Sequence, residues 1–152
     1  MEAQLQTFAR GTADVLSMMG VTATPQARCV PPDSFFSVYE LAIIIGLARD
    51  LRGAVVISMA AGTALALAGQ MMGGMVLPEL DDMVKSALCE FANMAAGTAV
   101  TALAPAVTAD ITPPTLVTGQ KLAIMAGQDN VLLTELETSL GIMEIRLGLE
   151  EI

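Results

Sequence analysis

The spacing of apolar residues alternates along the chain between helical and strand-like, which predicts a mixed α/β fold. The first segment has helical spacing and ends at Gly20, with its repeating positions at Leu5, Phe8, Thr12, Val15 and Met19. Residues 35–59 form two β-rich runs around a charged turn at 49–53, which is typical of a hairpin. An Ala- and Gly-rich stretch, 60–74, predicts a short helix closed by Gly73 and Gly74.

The longest predicted helix covers residues 78–104. Pro78 suits the first turn of a helix, the acidic residues Glu79, Asp81 and Asp82 suit its positive end, and Pro105 stops it. Before the first hairpin, the prolines of residues 21–34 allow only an edge strand or irregular structure. After the helix, four further runs predict strands, at 107–119, 121–127, 129–140 and 141–151.

The last run alternates polar or small positions with apolar ones, which predicts a strand with one wet and one dry face. The wet positions are Ile142, Glu144, Arg146 and Gly148, and the dry ones are Met143, Ile145, Leu147 and Leu149. The runs 131–136 and 142–149 contain no proline, so we expect them to form regular sheet edges. The blocks 35–59 and 129–150 resemble each other in pattern but not in sequence.

Together these segments predict one domain over residues 1–152 with an α/β fold of the α+β type. A mostly antiparallel sheet would pack against a long central helix and shorter helices. Hydrophobic residues make up 54% of the chain but aromatic ones only 3%, so the core is expected to consist of Ala, Val, Leu, Ile and Met.

Composition and charge exclude several kinds of site. The chain has no histidine, the commonest metal ligand and general base. Its two cysteines, Cys29 and Cys89, are too few for a zinc site and are interpreted as buried thiols of a cytoplasmic protein. A net charge of −9 argues against nucleic acid and against an anionic membrane surface.

An uncharged stretch, 53–78, is long enough to span a bilayer, and Arg49 and Arg52 precede it. Its character changes midway from β-branched to Ala- and Gly-rich, however. A buried strand followed by a helix explains the same composition, and we prefer that interpretation.

The long helix carries a polar stripe. Ser86, Glu90, Asn93 and Gly97 follow the spacing i, i+4, i+7, i+11, opposite an apolar face of Val84, Leu88, Phe91, Ala95 and Ala102. Asparagine and glycine are poor helix formers, and the small neighbours Ala92 and Ala96 would let another backbone approach. The residues alone leave two interpretations open, a solvated helix face and a binding or catalytic stripe.

At these positions the sequence resembles the CheC/CheX/FliY family of bacterial chemotaxis phosphatases. The resemblance lies in Ser86-x3-Glu90-x2-Asn93, followed by Pro113-Pro114-Thr115 and then Val-Thr-Gly. The proline comes one or two residues sooner than in the family pattern. Two-site members carry a second Glu/Asn motif on the N-terminal helix, which here has no asparagine, so the resemblance points to the CheX-like branch.

The resemblance implies a phosphatase that hydrolyses the aspartyl phosphate of a CheY-type receiver domain. Asn93 would orient the attacking water, Glu90 would pair with the receiver's lysine, and Ser86, Gly97 and Asp82 would contact the partner. It implies no cofactor or metal of the chain's own, Mg²⁺ on the receiver, a cytoplasmic location and a homodimer that joins sheets.

Two other functions are weighed against this one. In the first, the chain keeps the fold but is a non-catalytic docking or scaffold module of the flagellar-switch type. In the second, it is an unrelated ligand-binding α/β domain in which Met71, Met72 and Met75 line an apolar pocket. Methionines of this kind are more often core filler.

Overall fold

The computed structural model describes residues 1–32, 39–120, 122 and 130–150. In chain order its elements are α1 (Glu2–Met18), β1 (Ala23–Pro25), β2 (Leu41–Arg49), β3 (Gly53–Met59), α2 (Ala61–Met71), α3 (Asp82–Leu103), β4 (Ala109–Ile111), β5 (Thr115–Thr118), β6 (Asn130–Thr138) and β7 (Gly141–Leu149). The α/β fold class is therefore confirmed. The predicted strand at 121–127 lies outside the described residues except for Leu122, and so do the predicted hairpin positions 35–38.

All the strands belong to one antiparallel sheet with the order β1-β6-β7-β3-β2-β4, and β5 also pairs with β2. The two predicted hairpins, β2–β3 and β6–β7, are confirmed, and they meet where β3 pairs with β7. β1 is an edge strand, as its proline requires.

The main core lies between one face of the sheet and the helices. Alternate residues of the strands point into it, including Ile43, Ile57 and Ile145, and all three are buried. Helix α1 packs beside α3, and each also contacts the sheet, α1 towards β6 and α3 towards β2.

Small residues allow the two long helices to approach closely. A Cβ added to Gly11 of α1 would lie only 3.2 Å from the backbone N of Ala99 and 3.3 Å from the backbone O of Ala95, both in α3. Ala92 and Ala96 are buried too. The sequence predicted that these small residues would let another backbone approach α3; they face the interior of this chain, where the backbone of α1 approaches the same helix.

The strand β7 differs from its prediction in two ways. It pairs with β3 on one side and β6 on the other, so it is an interior strand and not an edge. In addition, Glu144 and Arg146 are each only 7% exposed, although the alternation predicted a wet face. The face away from the helices is also buried here, at Val56 and Ser58 of the neighbouring strand.

Burial of these two charges is tolerated because they pair with each other. They lie two residues apart on one face of β7, and the Arg146 Nε donates a hydrogen bond to the Glu144 Oε1. Tyr39 lies near this pair. Burial raises the pKa of its hydroxyl, and the carboxylates of Glu135 and Glu144 raise that pKa further.

Helix α3 begins at Asp82, four residues later than predicted. Asp81 is its N-cap, and the Asp81 Oδ1 accepts a hydrogen bond of 2.9 Å from the backbone N–H of Val84. Pro78 and Glu79 therefore belong to the preceding loop. The predicted buried face of α3 is confirmed for Val84, Leu88, Phe91 and Ala95. Ala102 is exposed instead, and no other residue of the last turn, 100–103, is buried either.

The structure tests one prediction and one alternative about sulfur-containing side chains. Cys29 and Cys89 are free thiols, but both are half-buried rather than buried. Met71 packs against the core, whereas Met75 is 59% exposed, so the methionines of 71–75 do not line one apolar pocket. No helix in the described ranges is both long and apolar enough to cross a membrane.

Candidate functional site

An open groove of about 470 Å³ lies between helix α3 and the segment that joins β4 to β5. Its lining residues come from these two sources and are Ser86, Cys89, Glu90, Asn93, Ile111, Thr112, Pro113 and Pro114. The polar stripe and the Pro-Pro sequence are separated by about 20 residues of chain, and the fold brings them to opposite sides of one groove.

The helical wall presents the predicted polar side chains. Ser86, Glu90 and Asn93 are all exposed, so the prediction that Glu90 and Asn93 face solvent is confirmed. Residues three or four apart on a helix have Cβ atoms about 5–6 Å apart, so these three side chains form a continuous polar surface. The opposite face of the same turns is fixed in the core by Leu88 and Phe91, both 0% exposed.

The second wall is a bulge in the sheet. Leu47 pairs with Ile111 and Ile44 pairs with Thr115, so only Ile45 and Gly46 of β2 face the three residues 112–114. One residue is therefore extra on the outer strand, which is the definition of a β-bulge, and such bulges redirect side chains next to functional sites. Two prolines fit this position because it lies on the outermost strand of the sheet.

Thr112 fastens the bulge to β2. The Thr112 Oγ1 accepts a hydrogen bond of 2.8 Å from the backbone N–H of Gly46, and the Thr112 N–H donates one of 3.0 Å to the Gly46 oxygen. The position opposite must be small, because a Cβ on Gly46 would lie 2.9 Å from the Thr112 Cγ2. The prolines that follow are held against the helix by this clamp.

Among the lining residues that the structure describes, Glu90 is the one ionised side chain. Cys89 lies next to it, and burial raises the pKa of the Cys89 thiol, which favours its neutral form. The other lining residues are neutral. A neutral amide at Asn93 therefore stands beside one carboxylate in a site that adds little further charge.

Two of the predicted partner-binding residues lie outside the groove. Asp82 is exposed at the start of α3, and Gly97 is half-exposed one turn beyond Asn93. A Cβ on Gly97 would meet open space, so the structure gives no internal packing reason for a glycine there. Their roles as contacts stay predictions.

Sequence reasoning missed three lining residues, Cys89, Ile111 and Thr112. Cys89 lies three residues after Ser86 and four before Asn93, so the helical repeat places it on the same face of α3. Thr112 directly precedes two prolines in a β-rich run. Because proline has no backbone N–H, the strand hydrogen bonds are interrupted there, and this signal could have indicated an irregular segment at Thr112. No group of three or more His, Cys, Asp or Glu side chains in the described part of the chain could hold a metal ion.

The chain is similar to several known proteins. Residues 41–136 match the family described as Chemotaxis phosphatase CheX. The CheY-P phosphatase CheX of Thermotoga maritima is 38% identical over 87 residues, which are 57% of this chain and 56% of that protein. The chain thus spans little more than half the length of that relative.

Two solved structures share the fold over nearly the whole chain. The chemotaxis protein CheX from Desulfovibrio desulfuricans has a TM-score of 0.88 at 21% identity, with 97% of this chain and 99% of that one covered. The CheX–CheY–BeF3–Mg²⁺ complex from Borrelia burgdorferi matches with a TM-score of 0.75 at 26% identity, over 96% of this chain and 97% of the other.

Proposed function

The chain belongs to the CheX family of chemotaxis phosphatases, and from that premise we propose that it hydrolyses the aspartyl phosphate of a CheY-type receiver domain. The observation that carries the proposal is the exposed Glu90–Asn93 pair on a rigid helix, facing a proline wall across an open groove. The activity of the Thermotoga relative and the CheX–CheY complex from Borrelia support the choice of substrate.

In the proposed reaction, water attacks the phosphorus of the acyl phosphate. A P–O bond forms to the water oxygen, the P–O bond to the aspartyl oxygen breaks, and the products are a free aspartate carboxylate and inorganic phosphate. The water loses a proton to solvent or phosphate. Because an acyl phosphate is already reactive, positioning that water in line with the leaving oxygen supplies much of the catalysis.

Asn93 suits the positioning task. Its amide can donate and accept hydrogen bonds at once, and it carries no charge that would repel the phosphoryl oxygens. The side chain is exposed, while the helix that carries it is anchored in the core one turn away by Leu88 and Phe91. The amide can therefore enter another protein's active site from a fixed base.

Glu90 is proposed to act on the partner rather than on the water. As the only ionised group among the described residues that line the groove, it can accept a hydrogen bond from a lysine of the receiver. A carboxylate beside the phosphoryl group would be repelled unless it met such a cation. Mg²⁺ is expected on the receiver, where it would offset phosphoryl charge, and no cofactor is proposed for this chain.

The test compares turnover of a phosphorylated receiver by five variants, three at the site and two controls. Asn93→Ala is expected to lower turnover by on the order of 10²-fold or more, with little change in binding, since the amide meets mainly the water. Asn93→Asp keeps the shape but adds a negative charge, so turnover falls nearly as far. Matched controls are Asn130→Ala and Glu137→Ala, at exposed positions on β6.

Glu90→Ala is expected to weaken binding as well as turnover, because it leaves the receiver's lysine without its partner. Purified receiver domains of the source organism are phosphorylated with a small-molecule phosphodonor, and release of phosphate is followed over time. Normal turnover by both Asn93→Ala and Asn93→Asp would contradict the proposal. Binding to a receiver without any turnover by the parent protein would favour the scaffold function instead.

We also propose a symmetric homodimer, as the resemblance implies. Among the described residues the edges first expected to support it are shorter than predicted, because β7 is interior and β6 pairs with β1 at 136–138 and bridges Val30 at Leu133. The outer strands of the described sheet are short instead: β1 has three residues, and β4 and β5 are separated by the bulge. The dimer therefore depends on the family likeness alone.

A further inference from the structure

Exposed apolar side chains concentrate just before the groove in sequence. The exposed large apolar residues of the described chain are Met18, Met75, Val76, Met83 and Ile142. Three of these five, Met75, Val76 and Met83, fall within nine residues, and we call them the 75–83 patch. Single exposed apolar residues are ordinary, whereas several that lie close in sequence beside a groove are candidates for an interaction surface.

The loop that carries this patch is anchored rather than loose. Leu77 and Leu80 turn inward and pack against the core, between the outward positions. On the other side, the Met75 backbone rests on α2: its N–H donates a hydrogen bond of 3.1 Å to the Gly69 oxygen, and a Cβ on Gly69 would collide with the Met75 oxygen. These anchors on both sides hold the backbone in place, and Val76 between them is 95% exposed.

The patch continues into the candidate site through α3. Met83 lies three residues before Ser86 and seven before Glu90, so all three share one face of the helix. At 1.5 Å per residue, Met83 is about 10 Å from Glu90 along the axis and about 15 Å from Asn93. A partner large enough to cover the groove would reach Met83, but Met83 cannot touch the reacting water.

Charge around the patch indicates what kind of surface would cover it. Glu79, Asp81 and Asp82 are exposed within the same segment, and the next basic residue in sequence, Lys85, is half-buried. An apolar centre with an acidic rim matches a partner face with apolar residues among lysines or arginines. The partner proposed for the groove already brings a lysine to Glu90.

We propose that the 75–83 patch is a second docking surface for the same receiver domain, and that Met83 sets affinity for it without taking part in the reaction. This inference rests on the proposed function. The receiver would place apolar side chains against Met83 and basic ones against Asp82 and Glu79. Binding at Glu90 and binding at the patch would then select the receiver together, while Asn93 acts on the water.

The test uses a CheY-type receiver of the source organism that the parent protein dephosphorylates. Met83→Gln removes the apolar contact, and Met83→Lys also adds repulsion towards a basic partner. We expect KM to rise by roughly tenfold for the first variant and further for the second, because buried contacts at an interface centre have effects of that order. The value of kcat at saturating receiver is expected to stay unchanged.

Met18→Lys is the matched control, since Met18 is 72% exposed and Met83 66%, and Met18 lies at the end of α1. It is expected to leave KM unchanged, and thermal melting checks that each variant is folded. Unchanged KM in both Met83 variants would overturn the patch and leave the phosphatase function standing. Conversion of a dimer to a monomer by Met83→Lys would also overturn it, because a second copy would then occupy the patch.

A different result would remove the proposed function itself. If the parent protein releases phosphate from no receiver, the proposed phosphatase activity is wrong. The proposal for the 75–83 patch is then wrong as well, because the partner proposed for it is that receiver. A KM that rises in the Met83 variants but not in Met18→Lys supports the patch.

Discussion

Thr112 is the residue whose replacement should disturb the proline wall while leaving the helical wall intact. Thr112→Val keeps the shape of the side chain and removes the oxygen that accepts the Gly46 N–H at 2.8 Å. The backbone hydrogen bond from the Thr112 N–H to the Gly46 oxygen can persist. The substitution therefore loosens one of two links between the bulge and β2.

The magnitude follows from exposure. A typical intramolecular hydrogen bond contributes about 1 kcal/mol to the free energy of unfolding, and a buried group left unsatisfied would cost more. Thr112 is exposed and Gly46 half-exposed, so water can replace part of the loss. We expect Thr112→Val to lower the free energy of unfolding by about 1 kcal/mol. For a chain of this length that is a fall in Tm of roughly 2–4 °C.

Function should fall although the protein stays folded. Pro113 and Pro114 face Glu90 and Asn93 across the groove, and small displacements of positioning groups have large effects on rate. Receiver turnover, measured as kcat/KM, is expected to drop by about threefold to tenfold. Thr112→Ser keeps the acceptor oxygen and should recover most of the lost turnover. Thr118→Val is the control, because it makes the same change elsewhere on the outer strand. If Thr112→Val and Thr112→Ser behave alike, the Gly46 hydrogen bond does not hold the wall.

Two further predictions concern the helix and the assembly. Asp81→Ala removes the cap on the Val84 N–H and should lower the free energy of unfolding by about 1 kcal/mol. Asp81→Asn keeps an acceptor oxygen and should stay close to the parent. Equal midpoints of urea unfolding for the two variants would contradict the capping role. Light scattering is expected to give the mass of a dimer at micromolar concentration, and a monomer there would contradict the homodimer.

Local patterns predicted most of the elements because each had its own signal. The hairpin turn at 49–53 was predicted from charged residues and a glycine, and Gly53 indeed has a positive φ of 152°. The start of α3 was missed because three acidic residues, Glu79, Asp81 and Asp82, all suit a helix N-terminus. Only the structure shows that Asp81 is the one whose carboxylate caps the helix.

The helical half of the candidate site was also predictable, since Ser86, Glu90 and Asn93 are related by the helical repeat alone. The other half was not. The contact of Thr112 with Gly46 depends on the register of the outer strand against β2, over 66 residues of sequence. A one-residue bulge sets that register, and no local pattern states which two strands will pair.

The alternating pattern of β7 shows why a polar side chain in a strand need not be exposed to solvent. Glu144 and Arg146 satisfy each other two residues apart, so the strand can be interior and buried on both faces. Nothing in a single strand distinguishes this pairing from two solvated side chains. The distinction depends on what covers the second face of the sheet.

Both walls of the groove are supported by one strand, β2. Helix α3 packs on it from the core side, where Phe91 and Ile43 are fully buried in one cluster, and the bulge is clamped to it at Gly46. The distance between the Glu90–Asn93 pair and the proline wall therefore depends on how α3 and the bulge are each held against β2. A site that must fit another protein's phosphoryl group needs such a fixed width, because positioning is most of what it supplies. If the 75–83 patch binds the receiver as proposed, partner choice can vary at Met75, Val76 and Met83, which precede the reacting pair on the loop and the first turn of α3, without altering the geometry of the reaction.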